Sequence, residues 1–310
     1  MFYNVNLEEE YMKMTTCLKE QNKEYQNLLN SKEYKLGSLI LRIKNCISHF
    51  SFKSMLGYLR NLKWRKYERK TEQEQSFEAI SIKPSEFFSQ KKIAVYTCIF
   101  GDYDQIQEPL LQPNNIDYYI ITDKRIDTKS AWNVIIPKFD LCEKLSNVEK
   151  NRYYKMHPDL ILKDYDYSIY VDGNIKVISD LTPYIYKLNA NGIGMHKHNK
   201  RNCSYDELEA LLLAHKASKK DVIQYKRFLQ ENCFPPNYGL LECNVIVREH
   251  HNEICKKIME QWWQQFETGI KRDQVSLPYV LHKNNIEVKD VAILGHNVYK
   301  NYDFRIVRHN

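Results

Sequence analysis

The chain has 310 residues, 43% of them hydrophobic, and a formal net charge of +7. Its length suffices for one well-packed domain with an appendage, and nine Gly and nine Pro are too few for a collagen-like or low-complexity protein. Residues 31–70 carry a net charge of +9, whereas residues 1–30 carry −2 and residues 71–310 are neutral. The basic excess therefore predicts an anionic partner for one segment.

Helices are predicted for the first seventy residues. Residues 7–30 are rich in Glu, Lys, Gln and Leu and lack Gly and Pro, which predicts a solvated helix or a short coiled coil. Residues 31–70 combine apolar residues at helical spacing with Lys and Arg, which predicts two basic amphipathic helices. Two interpretations stay open: attachment to an anionic membrane surface, or a helical hairpin on the following domain with solvated charges.

Cysteine usage and hydropathy bear on the compartment. The eight cysteines include no C-x-x-C pair, and no signal peptide is visible. No stretch approaches eighteen apolar residues, so no membrane-spanning helix is predicted. We therefore expect reduced thiols in a cytoplasmic protein, peripheral at most at the inner face of the cell membrane.

Residues 71–90 are polar and contain Lys83-Pro84-Ser85, which predicts the boundary between a basic helical segment with linker (31–90) and a domain at 91–310. Near-continuous apolar strands then alternate with helix-like segments. The predicted strands are 93–100, 118–122, 132–136 and 167–171, with a helix at about 146–156.

This alternation predicts an α/β fold, a Rossmann-type, mostly parallel sheet behind an N-terminal helical extension. Ligands bind at the carboxyl ends of such strands, where Asp102, Asp123 and Asp172 stand.

The sharpest local feature is Asp172-Gly173-Asn174, which directly follows a buried strand. The i, i+2 spacing lets two oxygen donors reach one divalent cation, Mn²⁺ or Mg²⁺, which would neutralise a leaving diphosphate. An ordinary Asp-Gly turn is the alternative. Upstream, Arg152 and Lys155 share one helix face, where they would bind a diphosphate or form ordinary ion pairs.

The second half offers further polar candidates. His196 and His198 are predicted polar contacts on one strand face; zinc is disfavoured because no Cys has ligand spacing. Glu242 and Asn244 share one face of a strand predicted at 238–248, where they would bind sugar hydroxyls or face solvent.

Two more residues are candidates for the chemistry. Asp273 opens a predicted helix, where it would be an N-terminal cap, a general base toward an acceptor hydroxyl or a ligand of the donor sugar. His296 follows a strand predicted at 291–294 and would be a third metal ligand or a polar surface residue.

Together these segments resemble the glycosyltransferase-like family shared by bacterial polysaccharide-locus proteins and plant Golgi proteins linked to mucilage and turgor control. The matching stretches are KIAVYTCIFGDYD (92–104), YYIITD (118–123), NRYYKMHPDLIL (151–162), YSIYVDGNIKV (167–177), the H-x-x-x-x-R-x-C-x-Y-x-E pattern (196–207), the E-x-N-V-I-V-R stretch (242–248) and RDQVSLPYVL (272–281).

The resemblance implies a GT-A-like fold and a nucleotide-sugar site. It places Asp172 and Asn174 at the D-x-D position and gives Asp273 a role. Asn is a neutral, weaker ligand than Asp, so Arg152, Lys155 and Lys176 are alternatives for neutralising the diphosphate. The other implied nucleotide-sugar residues are Thr97, Phe100, Asp102, Tyr103, Asp123, Gly173, His196, Arg201 and Asn244.

The sequence therefore predicts sugar transfer from a nucleotide diphosphate sugar, UDP-linked, to a lipid-linked or growing cell-surface glycan such as a capsule or O-antigen. Asp273 or Glu242 would serve the acceptor. A nucleotidyltransferase is disfavoured because the turn at 101–104 is acidic. Asn174 is the best support for the alternative of a non-catalytic carbohydrate-binding or scaffold protein derived from the enzyme. Nucleic-acid binding through residues 31–70 is a third alternative, which predicts strongly salt-dependent binding to any duplex. These residues include too few aromatic stacking residues to favour single strands, and nucleic acid is not the expected partner.

Overall fold

The computed structural model describes residues 2–48, 91–101, 103–126, 131–137, 144–295 and 298–307. Asp102, His296, the second basic helix and the linker at 71–90 lie outside these residues. The helices and strands are α1 (Phe2–Asn30), α2 (Lys32–Ser48), β1 (Ile93–Ile99), β2 (Ile116–Thr122), β3 (Trp132–Ile135), α3 (Asn147–Met156), β4 (Tyr167–Val171), β5 (Ile175–Val177), β6 (Ile193–Lys197), α4 (Ser204–Leu213), α5 (Lys219–Glu231), β7 (Leu241–Glu249), α6 (Glu253–Thr268), α7 (Asp273–Lys283) and β8 (Phe304–Ile306).

A six-stranded sheet forms the centre, in the order β3-β2-β1-β4-β7-β6. Strands β1 to β4 pair in parallel, and β7 joins β4 and β6 in antiparallel pairing. A separate antiparallel pair is formed by β5 and β8. The predicted α/β class with a mostly parallel sheet is confirmed.

Both faces of the sheet are covered, which is why its strands are nearly continuous apolar runs. All seven residues of β1 are buried. Tyr96 and Cys98 belong to a core cluster that includes Trp262 of α6 and residues of α3 and α7. Val95 and Ile99 belong to a second cluster, formed with the 3₁₀ helix Thr182–Lys187 and the β5–β8 pair.

Two strand predictions in the second half differ from the structure: one strand begins later than predicted, and the other does not form. β7 begins at Leu241 and not at 238, because Gly239 has a φ of 113° that breaks the extended backbone. No strand forms at 291–294. That stretch makes two backbone hydrogen bonds with a single residue of β6: Met195 donates to the Val291 carbonyl (2.9 Å) and accepts from Leu294 (3.1 Å).

Helix α1 is docked on Asp180 and on residues 301–304, whereas the sequence predicts a solvated helix. Asn22 and Gln26 are buried on its inner face. Their amides donate to backbone carbonyls of residues 301–304, and Tyr11 donates to Asp180 Oδ2 (2.6 Å). The polar composition of α1 thus serves a hydrogen-bonded contact that apolar periodicity does not reveal.

Where the structure describes the side chain, the cysteines are free: Cys17, Cys98, Cys203, Cys233, Cys243 and Cys255. Four of them, Cys98, Cys203, Cys243 and Cys255, are buried. Among the helices that the structure describes, none is long and apolar enough to cross a membrane.

Candidate active site

A cavity of about 490 Å³ opens at the carboxyl ends of β1 and β4. Its walls come from the segments after these strands, from α3 and α4, and from the start of α7. This is where ligands bind in open α/β sheets. The charged residues that line it are Asp104, Arg152, Asp172, Glu207, Lys216, Arg272 and Asp273.

Helix α3 supplies two cations to this region. It begins at a capping box in which Ser146 Oγ accepts from the Glu149 backbone and Glu149 Oε2 accepts from the Ser146 backbone. Arg152 and Lys155 follow on one face. Arg152 is partly exposed and lines the cavity, whereas the Lys155 side chain is only 1% exposed and lies beneath it.

Both cations pair with Asp273, the first residue of α7. Asp273 Oδ2 lies 2.9 Å from Arg152 Nε and 2.8 Å from Lys155 Nζ. Burial alone would raise the pKa of Asp273, but the guanidinium, the ammonium and the Gln274 backbone N–H hold that pKa below its usual range. Asp273 is therefore a charged counter-ion for two cations, which makes it a poor proton acceptor.

Asp172 follows β4 and faces the same cations. Its Oδ1 accepts from the Tyr170 hydroxyl (2.8 Å) and lies 3.7 Å from Lys155 Nζ. Its backbone N–H donates to the Asn244 carbonyl of β7 (2.9 Å). The turn is thus fixed by the sheet on which it stands.

Gly173 lets a second carboxylate approach this turn. A β-carbon at position 173 would lie 3.0 Å from Asp104 Oδ2 and 3.1 Å from Ile99 Cδ1. A larger residue would therefore displace Asp104, which follows β1 and lines the cavity. No sequence pattern singles out Asp104, although it follows β1 by five residues.

Asn174 is directed toward the C-terminal segment. Its Nδ2 donates to the Val307 carbonyl (3.2 Å), and the Val307 backbone N–H donates to the Asn174 carbonyl (2.8 Å). Asn174 does not line the cavity. Asp172 and Asn174 therefore belong to one turn, but Asp172 lines the cavity and the Asn174 side chain bonds to the C-terminal segment.

Glu242 lies behind the cavity wall, with Asn244 two residues along β7. Its carboxylate accepts from the Asn199 backbone (3.1 Å) and from Gln274 Nε2 (3.3 Å), and Gln274 lines the cavity. Burial raises the pKa of Glu242 to about 7. Because Glu242 is only 4% exposed, a solvent-facing role for it is excluded.

Arg201 and the two predicted histidines lie away from the cavity surface. Arg201 Nε pairs with Glu207 Oε2 at 2.6 Å, and Glu207 lines the cavity, so Arg201 lies behind it. His198 accepts from the Arg201 backbone, and burial lowers its pKa to about 3. His196 is fully buried in β6, with Nε2 3.1 Å from Asn301 Nδ2.

Of the predicted residues in or after β1 and β2, some line the cavity and others do not. Phe100 and the exposed Tyr103 line the cavity, and Phe100 stacks on Tyr154. Thr97 is buried within β1 and does not line it. Asp123 directly follows β2, and its Oδ1 accepts a hydrogen bond from the Gly101 backbone N–H (3.3 Å).

Two further cations line the cavity and were not predicted from the sequence. Arg272 stands directly before Asp273, and its guanidinium donates to the Lys216 carbonyl. Lys216 follows α4 and also lines the cavity. Arg272 lies inside the quoted RDQVSLPYVL motif, but no spacing rule linked it to Lys216.

The donors present fit a cation only in part. Among the described residues, no group of three or more His, Cys, Asp and Glu side chains is placed to hold a metal ion. Asp172 and Asp104 both line the cavity, and Asp104 lies close to Gly173. Mg²⁺ is commonly bound by one or two carboxylates together with substrate phosphates, so these residues fit a cation that arrives with a diphosphate.

Comparison with known proteins identifies the family. A family model for the TOD1/MUCI70, glycosyltransferase-like domain matches residues 65–309. The chain belongs to the TOD1/MUCI70 glycosyltransferase-like family. The family predicted from the sequence is confirmed, and the match contains every cavity residue and omits α1 and α2.

The search of curated proteins found no match. Among solved structures, the TOD1/MUCI70-like chain is similar to an apo WbbM bifunctional glycosyltransferase, with 9% sequence identity and a TM-score of 0.42. The similarity covers 67% of this chain and 39% of that one, so this chain spans well under half of that protein.

Proposed function

We propose that this protein transfers a sugar from a nucleotide diphosphate sugar, UDP-linked, to a growing cell-surface glycan such as a capsular polysaccharide or O-antigen. The reaction would take place in the cytoplasm, at the inner face of the cell membrane, where a lipid-linked acceptor is accessible. The family supports glycosyl transfer, and three cations that line the cavity, Arg152, Lys216 and Arg272, support a diphosphate donor.

One observation carries the proposal: Arg152 lines the cavity while Asp273 holds it in place (2.9 Å). A guanidinium fixed in this way keeps donors for phosphate oxygens and loses little side-chain entropy on binding. Arg272 and Lys216 add positive charge on the same wall. In a sheltered cavity such groups stabilise the charge that develops on a leaving diphosphate.

A divalent cation, Mn²⁺ or Mg²⁺, would be held by Asp172 and Asp104 together with the diphosphate. When bound, it would supply further charge neutralisation for the leaving group. Asn174 would support this turn through Val307 rather than act as a ligand. His296 stays a candidate ligand from the sequence.

Glu242 is the better general base of the two acidic candidates. In the proposed step the acceptor hydroxyl oxygen bonds to the anomeric carbon, the bond from that carbon to the phosphate oxygen breaks, and Glu242 takes the hydroxyl proton. A carboxylate with a pKa of about 7 is suited to this transfer near neutral pH. Gln274 separates Glu242 from the cavity, so it would have to turn aside for the acceptor.

The nucleoside would lie against the aromatic residues after β1. Tyr103 is 67% exposed, and Phe100 forms part of the same wall. Aromatic rings contribute to binding when bases stack on them. Asp123, bonded to the Gly101 backbone, would hold the loop that carries them.

A non-catalytic carbohydrate-binding protein is the second candidate. Asn174 favours it, because its side-chain amide donates to Val307 and does not line the cavity. Such a protein would bind sugars and turn over no donor. It would also tolerate Glu242→Gln.

Helix α2 supports an anionic membrane surface as a further partner. Leu36, Leu39 and Ile40 form one stripe and are 59%, 43% and 56% exposed. Lys35 and Lys44 on the same helix are exposed as well. Apolar side chains flanked by lysines are typical of helices that lie in an anionic membrane interface.

The test is a binding and hydrolysis screen with UDP-, GDP-, CMP- and dTDP-sugars, with Mn²⁺ or with EDTA. We expect one donor to bind and turn over, and Asp172→Ala to abolish both. Asp164→Ala, an exposed change outside the cavity, is the matched control. Binding of no donor would contradict the proposal. Binding of sugars without turnover would favour the second candidate.

A further inference from the structure

Helix α1 covers the open edge of β8. Asn22 Nδ2 donates to the carbonyls of Tyr302 and Phe304, both at 2.9 Å. Gln26 Nε2 donates to the carbonyls of Asn301 (2.8 Å) and Phe304 (3.0 Å). These side-chain amides satisfy the backbone carbonyls of residues 301, 302 and 304, of which only Phe304 belongs to β8. A strand edge is thereby closed by a helix rather than by another strand.

Charged groups strengthen the same contact. Lys19 Nζ lies 2.8 Å from Asp303 Oδ1, and both side chains are largely buried. Arg305 Nε donates to Asn22 Oδ1 (3.0 Å), and its guanidinium stacks over the Tyr25 ring at 4.1 Å. Asn22 therefore uses both ends of its amide: Nδ2 donates to the backbone of residues 302 and 304, and Oδ1 accepts from the Arg305 side chain.

The covered strand is joined directly to the turn in the candidate active site. β8 pairs with β5, and β5 begins one residue after Asn174. Beyond β8, Val307 exchanges hydrogen bonds with Asn174 through its N–H and its carbonyl. A two-stranded sheet alone is marginally stable, so the edge contact with α1 bears on how firmly this turn is held.

We propose that Asn22 and Gln26 are positioning residues, which hold Asp172-Gly173-Asn174 in its binding conformation through β8 and β5. Helix α1 lies outside the matched region of the family, so its contact with β8 is an addition to the family's domain. Its effect on donor binding rests on the proposed function. Its effect on the turn does not.

The test compares Asn22→Ala/Gln26→Ala with Gln21→Ala/Asn27→Ala, the same residue types on the exposed face of α1. Hydrogen exchange would be followed at the amides of Ile175 and Val307, which donate to Asp172 and Asn174. We expect exchange at both amides to accelerate by about tenfold or more in the first pair. Amides of β1 should be unchanged, as should every amide in the control pair.

Donor affinity provides the second readout, with UDP-sugar binding measured by calorimetry. The first pair should weaken binding about tenfold, because the turn must be ordered when the donor binds. Unchanged exchange at Ile175, or equal acceleration in β1, would overturn the positioning role. If the wild-type protein binds no donor, the proposed function fails. Exchange at Ile175 alone then decides whether Asn22 and Gln26 hold the turn at 172–174.

Discussion

Lys155 Nζ lies 2.8 Å from Asp273 Oδ2, although 118 residues separate the two in the chain. The ammonium is almost completely buried and lies 3.7 Å from Asp172 Oδ1. A buried cation is tolerated only with partners of opposite charge. The pair therefore ties the start of α7 to α3 and places both beside the turn after β4.

Asp273→Asn should destabilise the fold strongly, because it leaves Arg152 and Lys155 without their shared counter-ion. We expect the free energy of unfolding to fall by about 3–5 kcal/mol, measured by urea denaturation at pH 7. Glu287→Gln, which removes an exposed partner of Lys289, is the control and should leave the midpoint unchanged.

The pH dependence of Asp273 has a definite sign. Its pKa is lowered in the folded state, so its stabilising effect is present above the unfolded-state pKa of about 4. It is lost as the pH falls below that value. The free energy of unfolding should therefore fall less on acidification in Asp273→Asn than in the wild-type protein. An equally steep acid transition in the variant would count against the ion pair.

Glu242 should produce the opposite slope. Its pKa is raised to about 7, so the folded protein holds this proton between about pH 4 and pH 7, whereas the unfolded chain has released it. The stability of the fold is then lost as the pH rises through this window, by about 3 kcal/mol. Glu242→Gln should remove that slope. Glu267→Gln, an exposed change on α6, should keep it.

The same residue should govern the rate of transfer. If Glu242 is the base, kcat/KM rises with pH through an apparent pKa of about 7. Glu242→Gln should lower kcat by about a hundredfold or more while donor affinity stays within about twofold of wild type, as estimated for a residue outside the donor site. A variant with normal kcat would assign the acceptor chemistry to another group.

Arg152 should contribute to donor affinity through the geometry of its guanidinium. Arg152→Lys keeps the charge but loses the planar fork, and we expect donor binding to weaken about tenfold or more by calorimetry. Arg227→Lys on the exposed face of α5 is the matched control. Equal affinities for both variants would show that Arg152 serves only Asp273.

Local patterns predicted the sheet and the place of its ligand edge, because continuous apolar runs report buried strands directly. They also predicted α3 with Arg152 and Lys155 on one face. The partner of these cations was not predictable, since no rule of spacing links residue 155 to residue 273. The orientation of Asn174 likewise depends on Val307, which is 133 residues away.

The contact of α1 was missed for a different reason. Asn22 and Gln26 are polar, and polar residues in a helix predict exposure. Here their amides are buried because they hydrogen-bond a strand edge. A helix that docks through side-chain amides leaves no apolar stripe for sequence analysis to detect.

Helix α2 gives the last prediction, on membrane binding. Ile40 is 56% exposed, and Ile40→Glu would place a carboxylate in an apolar interface. Sedimentation with phosphatidylserine-containing vesicles should show at least a roughly tenfold loss of binding. Ile223→Glu makes the same change at an isoleucine 49% exposed on α5 and should bind as the wild type does. Wild-type binding that is equal on neutral vesicles would contradict the role of the lysines. A wild-type dimer in light scattering that Ile40→Glu dissociates would instead assign this stripe to a second copy of the chain.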